Sequence, residues 1–207
     1  MEKLQEILVK VSEQFRKYGI KSMTMDDVAR ELGISKKTLY QYVADKTDLI
    51  NKLIDYEIET AVSQFNNVLK TELNAIEELF EINRFMAGMI KRNSASFDFD
   101  LKKYYPDIFQ RVQSIRRNKI FNATLENLKK GKIQGLYRQE LNEEVLTKLH
   151  VFRIENIHNS AIFNMEEISS GIVFKEIFVY HIRGISNEKG IKFLEKNIHK
   201  LDYKEIF

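Results

Sequence analysis

The chain has 207 residues, 43% hydrophobic and 30% charged, with 33 Lys and Arg against 30 Asp and Glu for a formal net charge of +3. This length can bury a real core in one domain or two small ones, and the near balance of charge excludes a polybasic chain that would betray nucleic-acid binding by total charge. The lack of cysteine excludes disulfides, thiol redox sensing and zinc fingers and fits a reducing, cytoplasmic setting. No apolar run approaches the ~20 residues of a membrane span, and the opening Met-Glu-Lys-Leu-Gln-Glu lacks a signal-peptide core.

With one Pro and eight Gly, an all-α chain of long helices is expected. Leu4, Ile7, Leu8, Val11 and Phe15 repeat at helical spacing, and Gly19 ends this first helix. Thr24 is a good N-cap for a second, because its hydroxyl accepts from an orphan first-turn amide. Asp27, three positions on, can reach back to the cap, and Asp26 and Asp27 both suit the positive end of the helix dipole. Val28, Ala29 and Leu32 make the inward stripe. Gly33 stops this helix in the left-handed conformation, Ile34 follows as an apolar plug, and Ser35 is the next N-cap. A third helix is predicted from about Lys36 to Val43, with Leu39 and Val43 inward. Lys36, Lys37, Thr38, Tyr40, Gln41 and Tyr42 are left on its other sides. Lysine binds phosphates or guanine edges, Gln pairs with adenine, and Thr and Tyr reach phosphates or thymine methyls. Lys46, near the start of the fourth helix, is placed to reach the DNA backbone.

This segment resembles the N-terminal domain of the TetR family of transcription regulators. The resemblance is carried by Gly19, by Thr24-Met-Asp-Asp-Val-Ala-Arg-Glu-Leu-Gly-Ile-Ser-Lys-Lys-Thr-Leu-Tyr-Gln-Tyr-Val, and by Lys46 with Leu49. Thr38, Leu39, Tyr40 and Tyr42 match the family's recognition helix, while Val43 stands where many members have Phe. The resemblance implies a DNA-binding domain at residues 1–48, with Thr24, Ser35, Lys36, Lys37, Thr38, Tyr40, Gln41, Tyr42 and Lys46 at the DNA. It also implies a helical effector-binding and dimerisation domain at 49–207. The implied function is a homodimeric, ligand-responsive repressor on a near-palindromic double-stranded operator. The alternative is a helical small-molecule or protein-binding module whose head no longer reads DNA.

Beyond the head, a long fourth helix carries Leu49, Leu53, Ile54, Ile58, Ala61, Phe65 and Leu69 on one stripe. A fifth is predicted from Leu73 to Lys91, then a loop over Asn93–Phe97 and a short helix or turn over Asp98–Tyr105. Pro106 suits the first position of the next helix, which Gly131 is expected to close. Asn142 caps the following one. Residues 145–165 are apolar on more than one face and 172–182 are nearly all apolar, so both need cover on several sides. A dimeric four-helix bundle through 145–165 and 171–185 is the expected solution; the 172–182 run is β-branched enough for a strand, but nothing nearby would pair with it. A last helix covers Asn187–Lys200.

Enzyme signals are weak. Glu155-Asn-Ile-His158 has the spacing of a di-metal helical site, but such sites need the motif twice. His181 reads first as a hydrogen-bonded core or interface histidine, with a dimer seam or a pocket as the alternative. There is no phosphate loop, no zinc spacing and no Gly-x-Ser-x-Gly, so no catalytic residue, metal or cofactor is expected. An effector pocket implied by the resemblance would be lined by Phe80, Asn83, Phe85, Met86, Met89, Tyr105, Phe109, Phe121 and Phe152, with Asn83, Arg84, Arg116 and Asn122 as polar candidates. Such a lining favours a small hydrophobic or acyl-type effector over a sugar.

Overall fold

A computed structural model describes residues 2–69, 72–92, 94–157, 163, 167 and 172–200. Its helices are α1 (Glu2–Tyr18), α2 (Met25–Glu31), α3 (Lys36–Leu39), α4 (Lys46–Leu69), α5 (Ala75–Arg92), α6 (Ala95–Tyr104), α7 (Pro106–Ile133), α8 (Glu143–Ile157), α9 (Ile172–Ile185) and α10 (Glu188–Asn197), the last followed by a 3₁₀ turn at Ile198–Lys200. Among the described residues there is no strand, only an isolated antiparallel bridge between Tyr137 and Ser186. None of the described helices is long and apolar enough to cross a membrane. The chain forms two compact units, Met1–Gln64 with Arg92–Ile115 and Phe65–Lys91 with Arg116–Phe207.

The first unit is built on the apolar stripe of α1. Ile7, Leu8, Val11 and Phe15 are buried with Val28 and Ala29 of α2, Leu39 and Val43 of the third helix region, and Leu49, Ile50, Leu53 and Ile54 of α4. Gly19 takes φ +84° and its amide donates to the Phe15 carbonyl at 2.9 Å, which ends α1. The core runs past residue 48 and also takes in Phe97, Leu101 and Ile108. Burial of Phe97 draws the expected 93–97 loop into α6, which begins at Ala95; Asn93 lies outside the described residues. The Asp100 carboxylate accepts from the Lys21 amide at 2.8 Å. Glu57 of α4 accepts from both Ser12 and Arg16 of α1 at 2.5–2.9 Å.

In the second unit, Ala75, Ile76, Leu79, Phe80, Leu128, Leu136, Tyr137, Phe178, Ile182, Ile185 and Leu194 form the core. α7 continues two residues past Gly131, and Gly135 at φ +64° closes it. The Leu136 amide donates to the Gly131 carbonyl at 2.9 Å and the Gly135 amide to that of Lys132 at 3.0 Å, the paired bonds of a left-handed helix stop. Gly131 instead makes room for an aromatic ring, since a Cβ there would stand 2.0 Å from Tyr137. The buried Tyr137 hydroxyl donates to Asn127 Oδ1 at 3.0 Å, and Asn127 Nδ2 donates to the Ala75 carbonyl and to Glu78 at 2.8 and 2.9 Å.

Asn142 caps α8 by accepting from the Val145 amide at 3.0 Å. The 172–182 run is helix rather than strand, within α9. α8 presents exposed Val145, Leu149 and Phe152, and α9 presents exposed Ile172 and Tyr180. The expected bundle segment beyond Ile157, with His158, Ala161 and Ile162, and also Gly171, lies outside the described residues. Glu155, the other half of the Glu-x-x-His pair, binds Arg117 at 2.7 Å.

Candidate nucleic-acid interface

Two linked caps shape the turn. Thr24 Oγ1 accepts from the Asp27 amide at 3.2 Å, while Asp27 Oδ2 accepts from the Thr24 amide and hydroxyl at 2.9 and 2.6 Å. This reciprocal box closes the start of α2. The bonds from Thr24, then the Arg30 ion pair, pull the Asp27 carboxyl down to about 2. α2 stops at Gly33, φ +66°, where the Gly33 amide donates to the Arg30 carbonyl and the Ile34 amide to that of Ala29, both at 3.0 Å. Ser35 Oγ then accepts from the Thr38 amide at 3.0 Å and starts α3.

α3 is shorter than expected. Regular helix covers Lys36–Leu39, and Tyr40–Tyr42 continue as turns whose amides reach back three or four residues. The tightening leaves Leu39 and Val43 buried, as the spacing required. Lys36, Lys37, Tyr40 and Gln41 are exposed and Thr38 half-exposed. Lys36 Nζ is held 2.8 Å from Asp26 Oδ1. Thr24, Ser35 and Thr38 have their hydroxyls engaged in the caps, with Ser35 Oγ and Thr38 Oγ1 at 2.8 Å. Tyr42 is half-buried and packs on the head core.

Lys46 does not project freely. Its ammonium donates to the Ile20 carbonyl at 2.6 Å and also to the Met23 carbonyl, so it pins the α1–α2 connection to the start of α4. Burial, then the nearby Lys21 charge, lowers its pKa. Lys52 does the same for the other end of the reading helix: it donates to the Tyr42 carbonyl at 2.8 Å and to Asp48 at 2.7 Å. Asp48 also accepts from the Ala44 amide, and Asp45 accepts from that of Asp48, both at 2.8 Å. Sequence reasoning placed Asp26 at the helix dipole but not beside Lys36, and it missed Asp48 and Lys52. The signal for the last two was present in the Asp45-x-x-Asp48 cap and the i,i+4 spacing of Asp48 and Lys52.

The second unit holds a cavity of about 100 Å³ among α5, α7, α8 and α9. Asn83, Met86, Arg116 and His181, all singled out in the sequence, line it, joined by His150 and Arg153. Its walls otherwise include Leu79, Ile82, Ile154, Ile157 and Phe178. The other expected lining residues lie elsewhere. Phe80 is in the main core of this unit, and Tyr105 and Phe109 pack on the head's core. Phe121 borders an open surface recess with Leu125 and residues 140–144, Phe152 is 67% exposed, and Phe85 packs on Phe65 with ring centroids 5.6 Å apart. Met89 is half-buried and not in the cavity wall. Helical spacing of aromatics could not separate these fates, because each α-helix offers several apolar faces here.

Residues 7–53 match the family described as bacterial regulatory proteins, tetR family. A helix-turn-helix-type transcriptional regulator of Staphylococcus aureus is 25% identical over 118 residues, covering 52% of this chain; the match spans 62% of that relative's length. YvaF, a helix-turn-helix-type transcriptional regulator of Bacillus subtilis, is 24% identical over 81% of this chain and 88% of its own. In fold, a transcriptional regulator from Cytophaga hutchinsonii superposes with a TM-score of 0.72 at 17% identity, over 90% of this chain and all of that one. The matched stretch contains both caps, the Gly33 turn and the exposed face of α3, and residues 7–53 are an N-terminal helix-turn-helix domain of the tetR family of bacterial regulatory proteins.

Proposed function

We propose that the protein is a homodimeric repressor that holds a near-palindromic operator and releases it when a small molecule occupies the second unit. The observation that carries this reading is the exposed face of the capped α3, with Lys36, Lys37, Thr38, Tyr40 and Gln41 turned outward while Leu39 and Val43 anchor the helix from below. A helix fixed in this way can lie in a major groove, where lysines take phosphates or guanine edges and Gln41 and Tyr40 read bases and methyls. Thr24, Ser35 and Tyr42 complete the set of DNA-facing residues in this proposal. Lys46 acts by holding the turn in place as much as by its charge.

Residues 1–48 read the DNA in this proposal, and residues 49–207 hold the effector and the second subunit. The exposed Val145, Leu149 and Phe152 on α8 and Ile172 and Tyr180 on α9 support pairing of these helices with their copies across a two-fold axis. Two reading helices related by such an axis require half-sites about one helical turn, or a multiple, apart. The cavity lined by Met86, Ile157 and Phe178 is the effector site, and the setting is cytoplasmic.

The test is an electrophoretic shift with the DNA flanking the protein's own gene. Wild-type protein retards it as a dimer, and Tyr40→Ala, folded by circular dichroism, does not. Equal retardation by Tyr40→Ala would sink the assignment of this face. Failure of wild-type protein to retard any flanking DNA would favour a helical binding module that does not read DNA.

A further inference from the structure

The cavity in the second unit has an unusual balance of charge. Its lining includes two guanidinium groups, Arg116 and Arg153, and two imidazoles, His150 and His181, but no Asp or Glu. Arg153 donates from Nη2 to His150 Nδ1 at 2.9 Å. Its Nε is buried and has no hydrogen-bond partner among the described residues, nor does Arg153 form an ion pair among them. The His150 and His181 rings lie with their centroids 4.4 Å apart, tilted by 40° to each other.

The imidazoles cannot supply the missing negative charge. His150 accepts at Nδ1 from Arg153, so that nitrogen carries no proton, and burial next to Arg153 keeps both rings neutral. A guanidinium partly withdrawn from water with an orphaned donor is costly unless an anion completes it. The planar fork of Arg matches a carboxylate, which it binds through two parallel N–H donors. Apart from the Asn83 amide, the rest of the wall is apolar, suited to an alkyl tail.

We propose that this cavity binds a small carboxylate with a short acyl tail, its carboxylate on Arg153 and its tail against Met86, Ile157 and Phe178. Its volume of about 100 Å³, set against the ~150 Å³ that accepts a benzene ring, sizes the ligand at about four to six heavy atoms. The effector role of this anion rests on the repressor reading; its binding does not.

The test is calorimetric titration of the full-length, DNA-free protein with sodium butyrate and with butyramide, which has the same shape and no charge. Butyrate is expected to bind at least tenfold more tightly than butyramide, and Arg153→Met to lose that preference. Arg153→Met relieves the uncompensated charge, so the ligand-free variant is expected to melt at or above the wild-type temperature, which shows it folded; Arg153→Lys keeps the charge but loses the fork and is expected to bind butyrate with intermediate affinity. Equal binding of butyrate and butyramide, or unchanged butyrate affinity in Arg153→Met, overturns the proposal. So does chloride or inorganic phosphate binding as tightly as butyrate, which would make this a site for any anion. Stoichiometric zinc uptake that is lost in the His150→Gln/His181→Gln double variant but kept in Arg153→Met would make it a metal site and overturn the proposal as well. A gel shift with and without butyrate is scored separately: loss of operator binding in the absence of ligand counts against the repressor reading and leaves the calorimetry to stand or fall alone.

Discussion

Lys37→Ala isolates the electrostatic share of operator binding. Lys37 is exposed on α3 and forms no ion pair among the described residues, so no carboxylate among them competes with a phosphate for it. A homodimer presents it twice, and at ~0.9 per neutralised phosphate the slope of log affinity against log salt shrinks by ~1.8. Over a rise from about 50 to about 200 mM salt this amounts to ~1.1 log units, so the wild-type advantage over the variant falls about 12-fold across that range. Lys36 differs because Asp26 holds its ammonium at 2.8 Å, with both side chains more than half exposed. Such a surface pair contributes only ~0–1 kcal/mol, so a phosphate can displace Asp26. Asp26→Asn, which frees Lys36 and removes a repelling carboxylate, is therefore expected to tighten binding several-fold. Fluorescence anisotropy on a labelled operator over a salt series measures all three proteins. Parallel lines for wild type and Lys37→Ala would refute the phosphate contact, and weaker binding by Asp26→Asn would refute the competition.

Lys46→Met should lose operator retention together with about 1–3 kcal/mol of stability, because the Ile20 and Met23 carbonyls lose a donor; a pure DNA contact would cost affinity with no change in the denaturation midpoint. Gly131→Ala forces the buried Tyr137 ring away from a Cβ at 2.0 Å and should cost about 3 kcal/mol, whereas Gly33→Ala meets no atom and should cost about 1–2 kcal/mol through its φ of +66° alone; urea denaturation ranks the two. Burial holds the His150 pKa at about 3 in the folded state against an ordinary 6.5. The unfolded chain then binds the extra proton between those values, so this stability is complete above about pH 6.5 and declines as pH falls toward 3. From pH 6.5 to 5 the loss is about 2 kcal/mol, with His181 acting in the same direction. Urea midpoints at pH 7.5 and 5.0 should converge between wild type and His150→Gln at the lower pH, and a gap that does not depend on pH would contradict the buried neutral ring.

The head was legible in the sequence because its determinants are local. Caps, a left-handed glycine stop and a four-residue spacing of inward side chains each act within a turn or two of the residues that encode them. Thr24, Asp27, Gly33, Ser35, Leu39 and Val43 therefore announce their places before any tertiary contact forms. The same is true of Pro106 at the start of α7 and Asn142 at the start of α8.

What tertiary structure alone decided lies where several apolar faces compete for cover. The pattern could not tell that Phe97, Tyr105 and Phe109 join the head's core, that Phe152 remains exposed, or that Gly131 makes room for a ring rather than ending a helix. It gave Lys46 the charge and position of a DNA contact but not the two carbonyls that engage its ammonium. Nor could it bring His150, Arg153 and His181 to one cavity without an acid among them, since a side chain's partners across helices depend on packing between segments far apart in the chain. Local rules set where each helix begins and stops, and long-range packing set which of its faces is buried and which charge is left uncompensated.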